Sequence, residues 1–427
     1  MQGGDFMLSA NILLSGNNYR KVALLCKFMA MGMVSESTFF RIQDAYCIEP
    51  VQEYLDKTMA EVLESLRQKD RVVVLGDGRM DSPGHCAQFC TYTTIEQDSR
   101  DIVHIVSVDK QETNRNLLIM EKECFIRTME ALLPELAIKE VVTDAHPQIS
   151  ALLNPERGKY KAWGIQHSLD IWHATKSLSK KLRRVGTVKN QTDIQAWIKD
   201  IVIHFWYCSK HAVTEEQFKM MWVGVLHHVR DEHSWATGCC QHEPLEEGSQ
   251  EKPWIKQGSA AHKALAGVVL DKRWLGLVKK FLNFRTTFWS HSKITSSCTH
   301  QSGTPTHHLS TRQGHYWLPL TTTSTIGAFL HTTGMLQTLI QNKSKSWSVY
   351  TMKEKKQYSY IPDLQRAILA RRLGSGKGLP RKQTLRPADP RRLGLLAPEQ
   401  PPPTAELVSI HVSRGDLGNR DTEDLEN

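Results

Sequence analysis

The chain has 427 residues, with 54 Lys or Arg against 45 Asp or Glu, and a formal net charge of +9. Its 40% apolar and 23% charged residues are typical of a globular protein and exclude a wholly disordered chain. The charge is uneven, because residues 272–353 contain no acid and ten Lys or Arg, which leaves 44 basic and 45 acidic residues elsewhere. A uniformly basic protein that coats nucleic acid is therefore not expected.

The whole chain also shows no sign of export or membrane insertion. Its nine cysteines are scattered without a C-x-x-C pair, which suits a reducing compartment. Residues 1–17 lack the basic start and apolar core of a secretory signal, and no apolar run approaches the roughly 18 residues of a membrane span. We expect an intracellular protein with no membrane partner.

Residues 1–69 are predicted to form a helical, helix-turn-helix-like domain. Residues 22–29 have one apolar helical face, and Ser35 is a candidate N-cap for a second helix over residues 36–46. Two short helices joined by a Gly-containing turn can read DNA, but they also occur in ordinary helical subdomains. Both interpretations stay open.

Residues 70–188 change to a strand pattern. Short runs rich in β-branched and aromatic residues predict strands at 71–76, 89–95, 102–108, 140–143 and 163–167. Helical periodicity predicts helices at 114–133, 148–153 and 169–184. The resulting order, β-β-β-α-β-α-β, predicts an α/β fold with a mixed sheet and helices packed on it.

The composition of the remaining chain changes along its length and indicates separate segments. Residues 189–286 are predicted to be a large all-helical insertion, and residues 342–369 a residual core or helical segment. Residues 370–427 are rich in Pro, Arg and Gly and are predicted to be a disordered tail.

Two carboxylates are predicted to follow buried strands, Asp77 after RVVVLG and Asp144 after EVVT. Carboxylates on adjacent strands can hold Mg²⁺, which activates water and stabilises phosphoryl displacement. The alternative is that each Asp only caps the turn after its strand. Asp81 is a rival to Asp77, although its Pro-Gly context favours a turn residue.

Residues 165–182 contain a second candidate cluster. His167, Asp170 and His173 recur at three-residue steps and would share one helical face if the helix begins early. A solvated basic helix is the alternative. Three lysines that could contact DNA phosphates follow, Lys176, Lys180 and Lys181.

Several zinc-capable side chains lie in the predicted insertion. Their spacing fits no strong zinc template, so zinc is not expected there. These residues are His227, His228, His233, Cys239, Cys240 and His242.

Four stretches carry a resemblance to a known family: SGNNYRKVALLCKFMAMGMVSESTFFRIQ, GDGRMDSPGHCAQFCTYT, VVTDAHPQISALLNPERGKYK and HSLDIWHATKSLSKKL. They resemble transposon-derived vertebrate proteins of the DDE transposase class, some of which carry an N-terminal THAP-type zinc module. The resemblance implies an RNase H-like core, a nuclear location, transposon-end DNA as partner and Mg²⁺ or Mn²⁺ as cofactor. Two Asp and one Glu would cleave and join DNA, and Asp77 and Asp144 match the first two. A homo-oligomer stays open.

The third acid of the family is expected on a helix after KFLNFRTT, a position inside the acid-free segment. Residues 288–325 are crowded with Thr, Ser and His and lack helical periodicity. Permissible codons for this stretch, read one nucleotide earlier, can spell a family-like helix. The codons of Trp289 and Ser290 then span a glutamate codon. We hypothesise that residues 287–341 are a frameshifted segment that replaces the last catalytic helix.

The expected function therefore has two parts. The ancestral activity would be metal-dependent DNA cleavage and strand transfer, and the chain as written is expected to be catalytically inactive. Two alternatives stay open, a non-catalytic DNA-binding protein and a nonfunctional transposon relic.

Overall fold

The computed structural model describes residues 3–82, 87–236, 238–240, 252–286 and 358–376, the strands at 336–340 and 347–351, and isolated residues between 378 and 409. The chain divides into two units, Met1–Gln383 and Thr384–Asn427, and nearly all described residues lie in the first. The segment predicted to be frameshifted lies outside the described residues, apart from the strand at 336–340.

The N-terminal part is helical. Its helices are α1 (Gly3–Leu14), α2 (Tyr19–Phe28), α3 (Glu36–Ile42) and α4 (Ile48–Arg67), with a π-helical turn at Gln43–Cys47 between the last two. Ser35 caps α3, because its hydroxyl accepts a hydrogen bond of 3.3 Å from the Thr38 backbone N–H. The apolar face of α2 is not packed, and Phe28 is 77% exposed.

A five-stranded mixed sheet follows, as the sequence predicts. Its strands are β1 (Val72–Met80), β2 (Phe89–Glu96), β3 (Ile102–Asp109), β4 (Ile138–Thr143) and β5 (Gln166–Leu169). The spatial order is β3-β2-β1-β4-β5, with antiparallel pairs among the first three strands and parallel pairs from β1 to β4 and β4 to β5. Parallel pairing requires crossover connections, which the intervening helices provide.

Three helices of this region connect or flank the strands. They are α5 (Leu117–Leu132), α6 (Pro147–Leu152) and α7 (Ile171–Gly186). On α5, Met120, Cys124 and Phe125 are buried against the sheet with Val74 and Tyr92. Burying the apolar stripe of an amphipathic helix on a sheet face is what holds this layer together.

The insertion has its own core but is not all-helical, contrary to the prediction. Its elements are α8 (Ile194–His211), α9 (Glu215–Val223), α10 (Val225–His228), β6 (Ser234–Trp235), β7 (Gly238–Cys239), α11 (Ala260–Val269) and α12 (Lys272–Leu275). Phe205, Phe218, Trp222 and Phe281 pack in its centre. The hairpin β6–β7 is only two residues long on each side, too short for an alternating strand pattern to appear in the sequence.

The C-terminal part contributes a hairpin and a helix. The hairpin is β8 (Leu336–Ile340) paired with β9 (Trp347–Thr351), and the helix is α13 (Ile361–Gly374). Leu364 and Ile368 of α13 join the buried core formed by α1 and α4. Helix α13 therefore includes residues 370–374, which were predicted to belong to the disordered tail. No helix among the described residues is long and apolar enough to cross a membrane.

Candidate metal centre at the sheet edge

The strand register brings Asp77 and Asp144 together. Leu75 of β1 pairs with Val142 of the parallel strand β4, so the positions two residues further along both strands are Asp77 and Asp144. Side chains alternate along a strand, so Asp77 lies on the face that carries Leu75, and Asp144 is the first residue after the end of β4. Asp77 is 8% exposed, and Asp144 is partly buried.

Asp77 was predicted to follow its strand. This prediction is wrong, because Asp77 lies inside β1. It pairs with Thr93, because β1 keeps its antiparallel partner β2 as far as Met80, while β4 ends at Thr143. The parallel ladder stops before the antiparallel one, and this difference leaves Asp77 at the open edge next to the end of β4.

A third carboxylate, Glu121 of α5, reaches the same edge and was missed by the sequence analysis. A Cβ atom at Gly78 would lie 2.6 Å from Cγ of Glu121, so the Glu121 side chain packs against β1 at a position where only a glycine leaves room. A signal was present in the sequence. Glu121 lies four residues before Phe125 and three before Cys124, on the core-facing stripe of the helix, where a charge is unusual.

The three acids act on one another electrostatically. Burial, followed by the negative charges of Asp144 and Asp77, raises the pKa of Glu121 to about 8. Burial and Asp77 also raise the pKa of Asp144, against the opposing effects of His173 and His146. Carboxylates that share a partly buried site disfavour one another's ionisation, and a bound cation would relieve that repulsion.

Two buried oxygens at this edge have no hydrogen-bond partner among the described residues, Oδ1 of Asp144 and the hydroxyl of Tyr92. The Tyr92 ring lies beneath Gly76, where an added Cβ would be 2.2 Å from the hydroxyl. Burial and then Glu121, Asp77 and Asp144 raise the Tyr92 pKa well above its usual value. Buried oxygens without partners are costly, so their presence fits a site built for a ligand that supplies the missing interaction. The residues at this edge therefore fit Mg²⁺ or Mn²⁺, which prefer oxygen ligands.

Asp81, the predicted rival of Asp77, has a different role. One of its carboxylate oxygens accepts hydrogen bonds from the backbone N–H groups of Gln88, at 2.9 Å, and Phe89, at 3.2 Å. Asp81 therefore organises the connection between β1 and β2, as its turn-like context indicates.

His167, Asp170 and His173 do not share a helical face, contrary to the prediction. His167 lies in β5, while Asp170 is the N-cap of α7 and accepts a hydrogen bond of 2.7 Å from the Trp172 backbone N–H. Only His173 lies on the helix, with Nδ1 3.8 Å from Oδ2 of Asp170. The chain is extended through His167, so a three-residue spacing does not repeat one face there.

His167 is held in a chain of buried polar contacts next to the carboxylates. Lys280 Nζ lies 3.0 Å from its Nδ1, and the hydroxyl of Thr143 lies 3.0 Å from its Nε2. The Thr143 hydroxyl in turn donates to the backbone carbonyl of Asp144 at 2.8 Å. We assign the proton of His167 to Nε2, because the lysine ammonium can only donate. Burial and the charge of Lys280 lower the His167 pKa to about 3, so the ring is neutral.

The three lysines of α7 are all exposed. Lys176 lies over the Trp172 ring, 4.0 Å from its centre, and Lys181 pairs with Asp271 at 3.2 Å. The structure thus places a basic surface on the helix that begins beside Asp144.

The segment before residue 287 is anchored to the sheet by Glu140. This fully buried carboxylate accepts hydrogen bonds from Arg285, at 3.0 and 2.8 Å, from Asn283 at 2.7 Å and from Ser168 at 2.6 Å. Burial acts to raise the Glu140 pKa, but the bonds from Arg285, Ser168 and Asn283 outweigh it and lower the pKa. The position expected for the third family acid, at Trp289 and Ser290, lies just beyond this anchor and outside the described residues.

Neither a protein-family model nor a curated protein sequence matches the chain.

Proposed function

We propose that the chain is a transposase-derived protein with an RNase H-like core, which keeps a divalent-cation site but does not catalyse transposition. The observation that carries the proposal is the convergence of Asp77, Glu121 and Asp144 at one edge of the sheet. The strand order, three antiparallel strands followed by two parallel ones, supports the RNase H-like assignment.

Each residue at this site would have its own role in holding the cation. Asp77 and Asp144 would hold a cation from the sheet, and Glu121 from α5. Gly78 leaves room for Glu121, and the buried ring of Tyr92 excludes water from beneath the site. A bound Mg²⁺ or Mn²⁺ would supply activation of water and stabilisation of charge at a phosphodiester.

Catalysis of transposition would need more than these three acids. In the related family the last acid comes from a helix after the insertion, and residues 272–353 contain no Asp or Glu to provide it. Glu121 supplies a third carboxylate, but it comes from α5 and packs against Gly78. Without the last acid the cation lacks a ligand where charge develops, which costs on the order of several kcal/mol of transition-state stabilisation.

The proposal is tested first by cation binding. The purified full chain is titrated with Mn²⁺, and free Mn²⁺ is followed by electron paramagnetic resonance. We expect binding that is lost in Asp77→Asn and Asp144→Asn but kept in Asp81→Asn, whose carboxylate is bonded to the backbone. Binding that all three variants retain, or its absence in the unmodified chain, would refute the cation site.

The second test addresses catalysis. The full chain is incubated with Mg²⁺ or Mn²⁺ and DNA that carries candidate transposon ends. We expect no cleavage, and metal-dependent cleavage that Asp77→Asn abolishes would show that the chain is an active enzyme.

A non-catalytic DNA-binding role is the second candidate, and the position of α7 favours it. The helix begins at Ile171, beside the carboxylates, and carries exposed Lys176 and Lys180 away from the site. DNA retention that falls steeply with salt, weakens in Lys176→Ala/Lys180→Ala and survives Asp77→Asn would support this role. A nonfunctional relic, the remaining alternative, would melt without cooperativity.

A further inference from the structure

A second cluster of metal-ligating side chains lies in the insertion, away from the proposed carboxylate site. His228 ends α10, His233 precedes β6, and Cys240 follows β7. One ligand atom from each of the three lies within 4.8 Å of the other two, and Nδ1 of His228 lies 3.4 Å from Sγ of Cys240. We propose that His228, His233 and Cys240 form a zinc site.

The hairpin explains how residues so unevenly spaced in the sequence meet. Ser234 pairs with Cys239 across the two strands, so His233 and Cys240 are the next pair along. The Cys240 backbone N–H donates a hydrogen bond of 2.9 Å to the His233 carbonyl, which fixes this pairing. The end of α10 then brings His228 to the same point.

The distances and donor types fit zinc. In a tetrahedral site with Zn–N near 2.1 Å and Zn–S near 2.3 Å, neighbouring ligand atoms are about 3.4–3.6 Å apart. The contact between His228 and Cys240 already has this separation, and the remaining ligand pairs, within 4.8 Å of one another, need to close by at most about 1.4 Å. Two imidazoles and a thiolate favour zinc over Mg²⁺, which prefers oxygen ligands.

Aromatic side chains pack against the two imidazole rings and restrict their movement. The Trp254 ring centre lies 6.0 Å from that of His233 and 6.1 Å from that of His228, and both contacts are edge-on. Trp254 also stacks on Trp197, whose indole N–H donates a hydrogen bond of 2.9 Å to the Pro253 carbonyl. Packing that holds ligand rings in place reduces the reorganisation needed when a metal binds.

Three protein ligands leave one tetrahedral position. His228 and Cys240 also line a cavity of about 590 Å³, through which solvent or a fourth ligand can reach the site. The metal would join the hairpin to α10 and so stabilise a region with little regular structure. This role is independent of the carboxylate site.

Two neighbouring residues provide matched controls. His227 pairs with Glu232 at 2.7 Å and stacks on the Trp235 ring, so it is engaged elsewhere. Cys239 is exposed, and it is not among the three side chains whose ligand atoms come together. His227→Asn and Cys239→Ser therefore change the same residue types without removing a proposed ligand.

The test uses the full chain, stripped with a chelator and titrated with Zn²⁺ or Co²⁺. We expect one Zn²⁺ per chain, a higher melting temperature with Zn²⁺, and thiolate-to-cobalt absorption in the near ultraviolet. Cys240→Ser should abolish that absorption, and His228→Asn or His233→Asn should lower Zn²⁺ affinity more than about tenfold, since even indirect partners of a metal cost that much. His227→Asn, Cys239→Ser and the double variant Asp77→Asn/Asp144→Asn should bind as the unmodified chain does.

Three results would overturn the proposal. The first is no binding of Zn²⁺ at micromolar concentration by the unmodified chain. The second is loss of the cobalt–thiolate absorption in Cys239→Ser rather than in Cys240→Ser. The third is a Zn²⁺ affinity that the control variants lower as much as the ligand variants do. Where a ligand variant does not fold, the cobalt spectrum and Zn²⁺-dependent melting of the unmodified chain decide the question.

Discussion

The Glu121 side chain packs directly against Gly78, where an added Cβ would lie 2.6 Å from its Cγ. Heavy atoms essentially never approach so closely, so any larger residue at position 78 must displace the glutamate. This contact links a glycine of β1 to the geometry of the candidate cation site, and it supplies the first prediction.

Gly78→Ala is expected to weaken Mn²⁺ binding about tenfold, because the glutamate moves away, and to cost about 1–3 kcal/mol of folding free energy through overpacking. Gly267→Ala is the control, since Gly267 lies in helix α11 with nothing near its Cβ position. The control should leave binding unchanged and stabilise the fold slightly, by about 0.5–1 kcal/mol. Unchanged Mn²⁺ affinity in Gly78→Ala would remove Glu121 from the site.

Glu121→Gln is expected to stabilise the metal-free protein near neutral pH. The folded chain keeps a proton on Glu121 up to about pH 8, whereas the unfolded chain loses it near the ordinary value of 4.5. Stability is therefore lost as the pH rises from 4.5 towards 8, and a neutral glutamine avoids this loss. The gain at pH 7 should be on the order of 3 kcal/mol and vanish below pH 4.5.

Urea unfolding of both proteins at several pH values, in the presence of a chelator, measures this difference. Adding Mn²⁺ should reverse the order, because only the glutamate binds the cation. A variant that is less stable than the unmodified chain at every pH would contradict the mutual repulsion of the three acids.

His167→Asn is expected to reduce the sensitivity of the fold to acid. The His167 pKa is lowered to about 3 in the folded state, against 6.5 in an unfolded chain, because the ring is buried beside Lys280. The unfolded chain therefore binds a proton first, and stability falls as the pH drops from 6.5 to 3, by at most about 1.4 kcal/mol per pH unit. In the variant this contribution should be absent.

Denaturant midpoints measured between pH 7 and pH 4 test the prediction. Lys280→Met is a second variant, since removing the positive charge should raise the His167 pKa and make the acid-induced loss smaller. Parallel pH profiles for all three proteins would show that His167 does not titrate with folding.

Glu140→Ala is expected to be strongly destabilising. The change leaves the Arg285 guanidinium, which is 23% exposed, without its buried carboxylate partner. Breaking a buried ion pair from one side costs about 3–5 kcal/mol. Glu36→Ala, which removes the partner of the exposed Arg20, should cost less than about 1 kcal/mol. Thermal unfolding of the two variants gives the comparison, and equal melting temperatures would refute the anchoring role of Glu140.

The elements of the sheet could be predicted because each strand carries a local signal. RVVVLG, FCTYTTI and EVVT are β-branched or aromatic runs, and each became a strand within a few residues of its predicted bounds. The predicted end of β1 was wrong because the true end depends on pairing with β2, which a short stretch of sequence around β1 does not contain. The helical face proposed for His167 and His173 was wrong because the spacing was taken to be helical across the boundary between β5 and α7.

The sequence by itself determined the α/β class, the succession of strands and helices along the chain and two of the three acids, because alternation, helical periodicity and strand-end carboxylates are local properties of a chain. Only the tertiary structure decided that Asp77 lies inside β1, that Glu121 reaches the same edge, and that His228, His233 and Cys240 meet across a two-residue hairpin. These relationships join residues that are far apart or irregularly spaced in the sequence. They depend on strand register, on helix packing and on the room left by a glycine, which no local pattern specifies.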